Sequence, residues 1–347
     1  MTESKKYHFR FWILLILAFL LPIFILLDLT MGSVKIPFSE ALNILLGAET
    51  PKKGWEIIIW ESRFPHSITA IFSGAALAVS GLFLQTLFRN PLAGPSVLGI
   101  SSGASLGVAL LFMGSSAIGF NLQNLSGATY HALIIPSALV GALSVTLLIV
   151  IISRRIQDMV TILIAGMMIG YLISAIISVL VQRASQSSLQ QFSLWGLGSF
   201  DGVSYDHVFF YAGIISLILI STFLFIKPLN LLLLGDLQAQ TLGLNTKTTR
   251  VYIILISSIL AAIVTAYCGP IAFIGMTVPH ILRMILKTSD HRYLIPGCIL
   301  GGALLCSVCS LLSRILFSES ILPINAVTSL IGAPIVLWII LQQKKWK

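Results

Sequence analysis

Along the whole chain, runs of apolar residues free of Asp, Glu, Lys and Arg alternate with short polar punctuation. About 20 apolar residues in a helix cross a bilayer core, so each long run predicts a membrane span. The runs place spans near residues 11–27, 64–88, 97–113, 132–153, 159–182, 207–226, 251–268, 271–286, 293–313 and 321–341. Asn90 to Ser153 holds no Asp, Glu, Lys or Arg, and polar punctuation at Gly114–Tyr130 divides it into two spans. The first run follows Lys5, Lys6 and Arg10 as a signal peptide would. It is long and lacks a small-residue cleavage site, which predicts a retained anchor.

One stretch departs from the plain pattern. Residues Gly269 to Arg283 read GPIAFIGMTVPHILR, apolar but broken by Gly and Pro. Gly269-Pro270 should end the preceding helix, Gly275 permits close backbone approach, and Pro279 should interrupt the pattern again before His280 and Arg283. Irregular backbone at membrane depth survives where it is buried in protein or lines a water-filled path, because unsatisfied backbone groups are costly in lipid. The stretch reads as a half-helix and turn beside a pathway; a kinked structural helix is the alternative, since Pro and Gly are common in membrane helices.

Composition agrees with the spans. Of 347 residues, 57% are hydrophobic and 10% charged, against about 25% charged in soluble domains, and the mean hydropathy is +0.99. The formal net charge of +9 could suggest nucleic acid, but the basic residues follow topology instead. With the N-terminus cytoplasmic, Lys5, Lys6, Arg10, Arg89, Arg154, Arg155, Lys227, Lys247, Arg250, Arg283, Lys287, Arg292, Lys344, Lys345 and Lys347 lie inside, 15 of 21. Lys35, Lys52, Lys53, Arg63, Arg183 and Arg314 lie outside. The expected fold is an all-α polytopic membrane protein of about ten transmembrane helices in one permease domain, with both termini cytoplasmic and no nucleic-acid partner.

Between the spans, several segments carry specific expectations. Small residues Ser73, Gly74, Ala75, Ala78 and Gly81 allow close helix approach in the second span, and Gly99, Gly103 and Gly107 place two G-x-x-x-G steps on one face of the third. That face either packs tightly or lines a path. The stretch Arg183–Tyr205 is long enough for a short interfacial helix that includes Trp195. The cytoplasmic loop NLLLLGDLQAQTLGLNTKTTR reads as two short helices separated near Gly243. Its leucines should not stand bare in water, which points to a soluble docking partner or to the membrane interface. The second and seventh spans, each beside a Gly/Pro break, run in opposite directions by parity, the pattern of an inverted repeat. Cys268, Cys298, Cys306 and Cys309 fall in or beside spans and read as small buried hydrophobes.

Much chemistry is missing from the sequence. It has no G-x-x-x-x-G-K-[ST], no H-E-x-x-H, and scattered histidines without metal-ligand spacing, so no cofactor, metal or catalytic residue is expected. No expected span holds an acid near its centre, as an ion-coupled carrier would. The chain reads as a pore that another subunit powers.

With these residues in view, the chain resembles the FecCD-type permeases, membrane subunits of bacterial ABC importers for iron–siderophore complexes, haem and cobalamin. The segments that carry the likeness are RFPHSITAIFSGAALAVSG, FRNPLAGPSVLGISSGA, ILIAGMMIG, LLLLGDLQAQTLG, GPIAFIGMTVPHILR with DHRYLIPG, and LPINAVTSLIGAPIVLWII, spread from about Arg63 to Trp338. The resemblance implies a homodimer of permeases in the bacterial cytoplasmic (inner) membrane, surrounded by lipid, with two cytoplasmic ABC ATPases and an extracytoplasmic substrate-binding protein. It implies ATPase coupling through Gly235, Asp236, Ala239, Leu242 and Gly243, and a translocation path or gate at Met159, Val160, Thr161, Gly99, Gly103, Gly275 and Pro279. Arg63, His66 and Arg314 become the residues that dock the binding protein. The family commonly has a second Arg where this chain has His66. An ion-coupled secondary transporter or channel is the alternative function.

Overall fold

The computed structural model describes residues 3–32, 34–48, 52–117, 127–156, 158–316 and 322–343, and among these all regular structure is helical. In chain order the helices are α1 (Glu3–Thr30), α2 (Phe38–Leu45), α3 (Lys53–Ile57), α4 (Phe64–Phe88), α5 (Ile100–Ala117), α6 (Gly127–Arg155), α7 (Met159–Gln182) and α8 (Gln186–Gly196). They continue as α9 (Tyr205–Thr222), α10 (Ile226–Leu234), α11 (Asp236–Thr241), α12 (Thr246–Cys268), α13 (Ile274–Leu286), α14 (His291–Ile315) and α15 (Ile324–Gln343). A π-helical turn over Ile58–Arg63 joins α3 to α4, and a 3₁₀ turn over Phe223–Phe225 joins α9 to α10.

Each of the ten expected spans falls on a helix. Among the described residues, seven helical stretches are long and apolar enough to cross a membrane, and three shorter apolar helices, Ile100–Ser115, Ile274–Leu286 and Ile324–Trp338, overlap the third, eighth and tenth expected spans. Side-chain caps fix several starts: Asp158 accepts from the Thr161 N–H at 2.8 Å, Asn245 from Thr248 at 3.2 Å and Asp290 from Arg292 at 2.9 Å. These caps satisfy N–H groups that a helix leaves unpaired at its first turn. Most of the polar punctuation at Gly114–Tyr130 lies outside the described residues.

The helices group into two compact units, Met1–Val79 with Ser199–Ile226 and Phe273–Lys347, and Ser80–Gly198 with Lys227–Ala272. Each is drawn from separated stretches, so neither coincides with a half of the sequence. In the second unit α5 lies against α6, α7, α8 and α12. A methyl placed on Gly103 would sit 2.6 Å from the Gly141 carbonyl, and one on Gly107 would sit 2.0 Å from that of Ser137, so small residues let α5 and α6 touch backbone to backbone. Gly99 is not part of that face. It precedes α5 with φ +77° and abuts Gly166 and Gly170 of α7, because the chain turns there before the helix begins.

In the first unit α1 packs along α14, and α14 also carries α13 and α15. Arg10 donates to the carbonyls of Leu286 at 3.3 Å and Lys287 at 3.2 Å, which closes the C-terminus of α13, and its guanidinium lies 5.1 Å from the Tyr293 ring centre. All four cysteines are buried and unlinked.

The GPIAF stretch divides as expected at its start and differently at its end. α12 stops at Cys268 and residues 269–273 are non-helical, with Phe273 left-handed at φ +66° just before α13. Pro279, in contrast, lies inside α13, which continues unbroken to Leu286. Near the helix start Pro removes only the bond back to the Gly275 carbonyl, a loss that a packed membrane helix tolerates.

Candidate functional site

The expected leucine loop is a short, rigid turn in the second unit. α10 ends at Leu234, α11 spans Asp236–Thr241 and α12 begins at Thr246, so the expected break near Gly243 is present and a further break falls at Gly235. Gly235 has φ +116°, a conformation that side chains rarely adopt, and this fixes the break there. Gly243, with φ +87°, ends the turn before α12. Ala239 is fully buried and anchors α11, while Leu242 is 60% and Leu237 81% exposed; Leu233 and Leu234 are exposed beside them.

Two arginines hold the base of this turn. Arg250 Nη2 on α12 donates to Asp236 Oδ2 at 2.5 Å, and Arg89 Nη2, at the end of α4, lies 3.8 Å from Asp236 Oδ1. The same Arg89 nitrogen donates to the Leu232 carbonyl of α10 at 3.0 Å. Gln240 Nε2 reaches the Thr246 hydroxyl at 2.9 Å, which ties α11 to the start of α12. The sequence pattern presented Arg89 and Arg250 as topological charges alone. Their proximity to an acid in an otherwise leucine-rich loop was the available signal.

Arg63, His66 and Arg314 lie in the first unit around a buried carboxylate, Asp28, which Arg314 alone of the three contacts directly. Asp28, 1% exposed near the end of α1, accepts from the Ser67 hydroxyl, from Ser310 Oγ at 3.0 Å and from Arg314 Nη2 at 3.3 Å. His66 bridges this cluster to the loop before α9, with Nε2 3.0 Å from Ser310 Oγ and Nδ1 2.5 Å from Asp201 Oδ1. Burial tends to raise the Asp201 carboxyl, but the hydrogen bond and charge of His66, with help from Ser199 and Arg314, hold it well below the ordinary carboxylate range.

Arg63 turns inward. It donates to the Leu29 carbonyl at 2.6 Å and to that of Val34, so its charge closes the last turn of α1. Arg63 and His66 are both buried, and Arg314 is nearly so. Of the expected docking set only Arg314 reaches the surface, and only in part; beside it Asp201, outside that set, is 55% exposed. A pocket of about 770 Å³ adjoins Arg314, bounded by Leu27, Met31, Lys35, Ile36 and Phe38.

The expected gate residues fall in both units. Met159, Val160 and Thr161 form the first turn of α7, where Asp158 Oδ2 also accepts from the Thr161 hydroxyl at 2.5 Å. That hydroxyl and the Thr161 N–H lower the pKa of Asp158. Val160 is exposed, and Gly99 and Gly103 lie in the same unit against α7 and α6. Gly275 and Pro279 are buried on α13 in the other unit.

These features describe a polytopic, all-helical membrane protein with small-residue helix contacts and an apolar turn held rigid at its surface. The sequence matches the model of the FecCD transport family over residues 20–342, and the chain belongs to that family. It is 37% identical to the hemin transport system permease protein HmuU of Yersinia pestis over 95% of this chain and 96% of that one. It is 33% identical to the vitamin B12 import system permease protein BtuC of Citrobacter koseri, with 84% of each chain covered. A solved structure described as an inward-facing conformation of an ABC transporter of metal-chelate type superposes with a TM-score of 0.80 at 28% identity, over 96% of this chain and 99% of that one. The chain is accordingly a multi-pass permease of the bacterial inner membrane.

Proposed function

We propose that this permease crosses the membrane ten times, pairs with a second copy, and forms the translocation path for an iron chelate (a siderophore or haem) or cobalamin. Two cytoplasmic ATPases drive the cycle and an extracytoplasmic binding protein delivers the substrate. The observation that carries the reading is the α10–α11 turn: exposed leucines on a base locked by ion pairs and hydrogen bonds make a preformed knob for a groove on a soluble partner. Ile164, Met168, Tyr171, Leu172, Ile176 and Val179 leave an apolar face of α7 uncovered, which supports contact with lipid or a second permease.

The names of the relatives, which specify hemin and vitamin B12, support this substrate class. The test is uptake by proteoliposomes that contain the permease, its ATPase and its binding protein, with haem, a ferric siderophore and cobalamin compared. Uptake of one of them should require ATP and persist after ionophores collapse the ion gradients. Uptake that follows a proton or sodium gradient without ATP would establish the ion-coupled alternative.

A further inference from the structure

The leucine turn stands on a carboxylate, and that carboxylate faces this chain's own arginines. Asp236 heads α11, with Arg250 at 2.5 Å on one oxygen and Arg89 at 3.8 Å from the other. Arg250 is only 9% exposed in its side chain, so it is withheld from direct contact with a partner and can act on the turn through Asp236. Arg89 follows α4 with φ +46° and also donates to the Leu232 carbonyl near the end of α10. Three structural ends thus meet at one acid: the C-terminus of α4, the α10–α11 junction and the first turns of α12.

We infer that Arg89, Asp236 and Arg250 form a bracket of positioning residues that transmits displacement of the leucine turn to the ends of α4 and α12, and that Asp236 does not itself recognise the ATPase. The inference rests on the reading of this turn as the ATPase dock. Its physical basis is that a turn tethered at Gly235, by φ, and at Thr246, by Gln240, has little freedom to absorb a push locally. A charge-assisted hydrogen bond from Arg250 and a longer ion pair to Arg89 hold opposite oxygens of Asp236. Arg250 faces Asp236 across the turn, and Arg89 approaches from the α4 end, so loss of either arginine frees one side of the bracket.

The experiment uses the complete transporter in proteoliposomes and reads substrate moved per ATP hydrolysed, together with ATPase co-purification. Arg250→Gln should keep the ATPase bound yet lower transport per ATP roughly tenfold, within the usual range of coupling between sites. Arg250→Lys, which keeps the charge, should recover most of that loss. Asp236→Asn should match Arg250→Gln, and the double variant should be no worse than either single one, because both remove the same interaction. Losses that add, Arg250→Lys no better than Arg250→Gln, or release of the ATPase by Arg250→Gln would each overturn the bracket. If Arg250→Gln fails to reach the membrane, Asp236→Asn at its partly exposed position carries the test, and unchanged coupling in that variant overturns the inference. The docking reading fails separately: Leu242→Asp that still retains the ATPase refutes the dock, whereas the bracket is read from the transport-to-hydrolysis ratio.

Discussion

The closest helix contact in the first unit makes a quantitative prediction. A Cβ built on Gly74 of α4 would lie 2.1 Å from the Gly302 carbonyl oxygen and 2.7 Å from Cys306 Cβ, and one on Gly302 of α14 would lie 2.3 Å from the Gly74 oxygen. Real Cβ atoms stay about 3.0 Å or more from such neighbours, so Gly74→Ala requires α4 and α14 to separate by about 1 Å at this point. The obstacle is backbone on both sides, so no side-chain rotation relieves it. A gap of that size forfeits about a quarter to a half of each dispersion contact along the seam, and overpacking of a filled interior costs about 1–3 kcal/mol. Alanine recovers about 1 kcal/mol of helix propensity over glycine. The net is a destabilisation of up to about 2 kcal/mol, from an overpacking cost of about 1–3 kcal/mol less about 1 kcal/mol of propensity. Gly213→Ala on α9 is the matched control, because a Cβ there meets nothing within 4 Å. In thermal unfolding of the detergent-purified protein, Gly213→Ala should equal or exceed the parent, and Gly74→Ala should fall below both. Adding Gly302→Ala should cost less than it does alone, since the helices are already apart. Equal stability of Gly74→Ala and Gly213→Ala would refute the backbone contact.

Leu242→Asp should abolish ATPase co-purification, because a buried unpaired charge at the dock costs several kcal/mol; pull-down from membranes reads this directly. Asp201, whose pKa is depressed, stabilises the fold fully above the ordinary carboxylate value of about 3.9, and the contribution is lost as pH falls through its folded value. Asp201→Asn should therefore lower the melting temperature at pH 7, and variant and parent should converge as pH drops below about 4. A cysteine at Val160 should change its reactivity toward a water-soluble thiol reagent between nucleotide-free and ATP-bound states; equal reactivity in all states would make the first turn of α7 structural. Arg63→Glu should reduce folded yield, since it leaves the Leu29 and Val34 carbonyls facing an acid, whereas Arg314→Ala should mainly weaken binding-protein docking and its salt sensitivity.

The helices were legible because membrane burial imposes a long, simple pattern. Length and absence of charge placed each expected span on a helix, and the Gly-Pro pair marked the end of α12 within a residue. What the pattern could not show were contacts between residues distant in sequence. Arg63 and Arg314 were read as surface cations because both flank apolar runs, yet their environment depends on Asp28 and on the carbonyls of α1, 34 and 286 positions away. Gly99 shares spacing with Gly103 and Gly107, but spacing cannot reveal where a helix begins, and its positive φ excludes it from their face. Pro279 was expected to break a helix that tolerates it, because the cost of a proline depends on which carbonyl loses its partner. Asp28 lies one residue beyond the expected first span, where the apolar pattern carries no signal for a buried acid.

Asp28 bears on the source of transport energy. A carboxylate beside a membrane span is expensive and frequently functional, so its burial at the end of α1 invites comparison with the acids of ion-coupled carriers. Such an acid must exchange its proton or ion with water in turn on either side of the membrane. Asp28 already receives the hydroxyls of Ser67 and Ser310 and the guanidinium of Arg314. Ser310 in turn meets His66, and through His66 the cluster holds Asp201. To release an ion, the carboxylate would have to shed a buried arginine in every cycle, and breaking one side of a buried pair costs about 3–5 kcal/mol. The arrangement suits a structural tie among α1, α4, α14 and the loop before α9, not a carboxylate that releases an ion in every cycle.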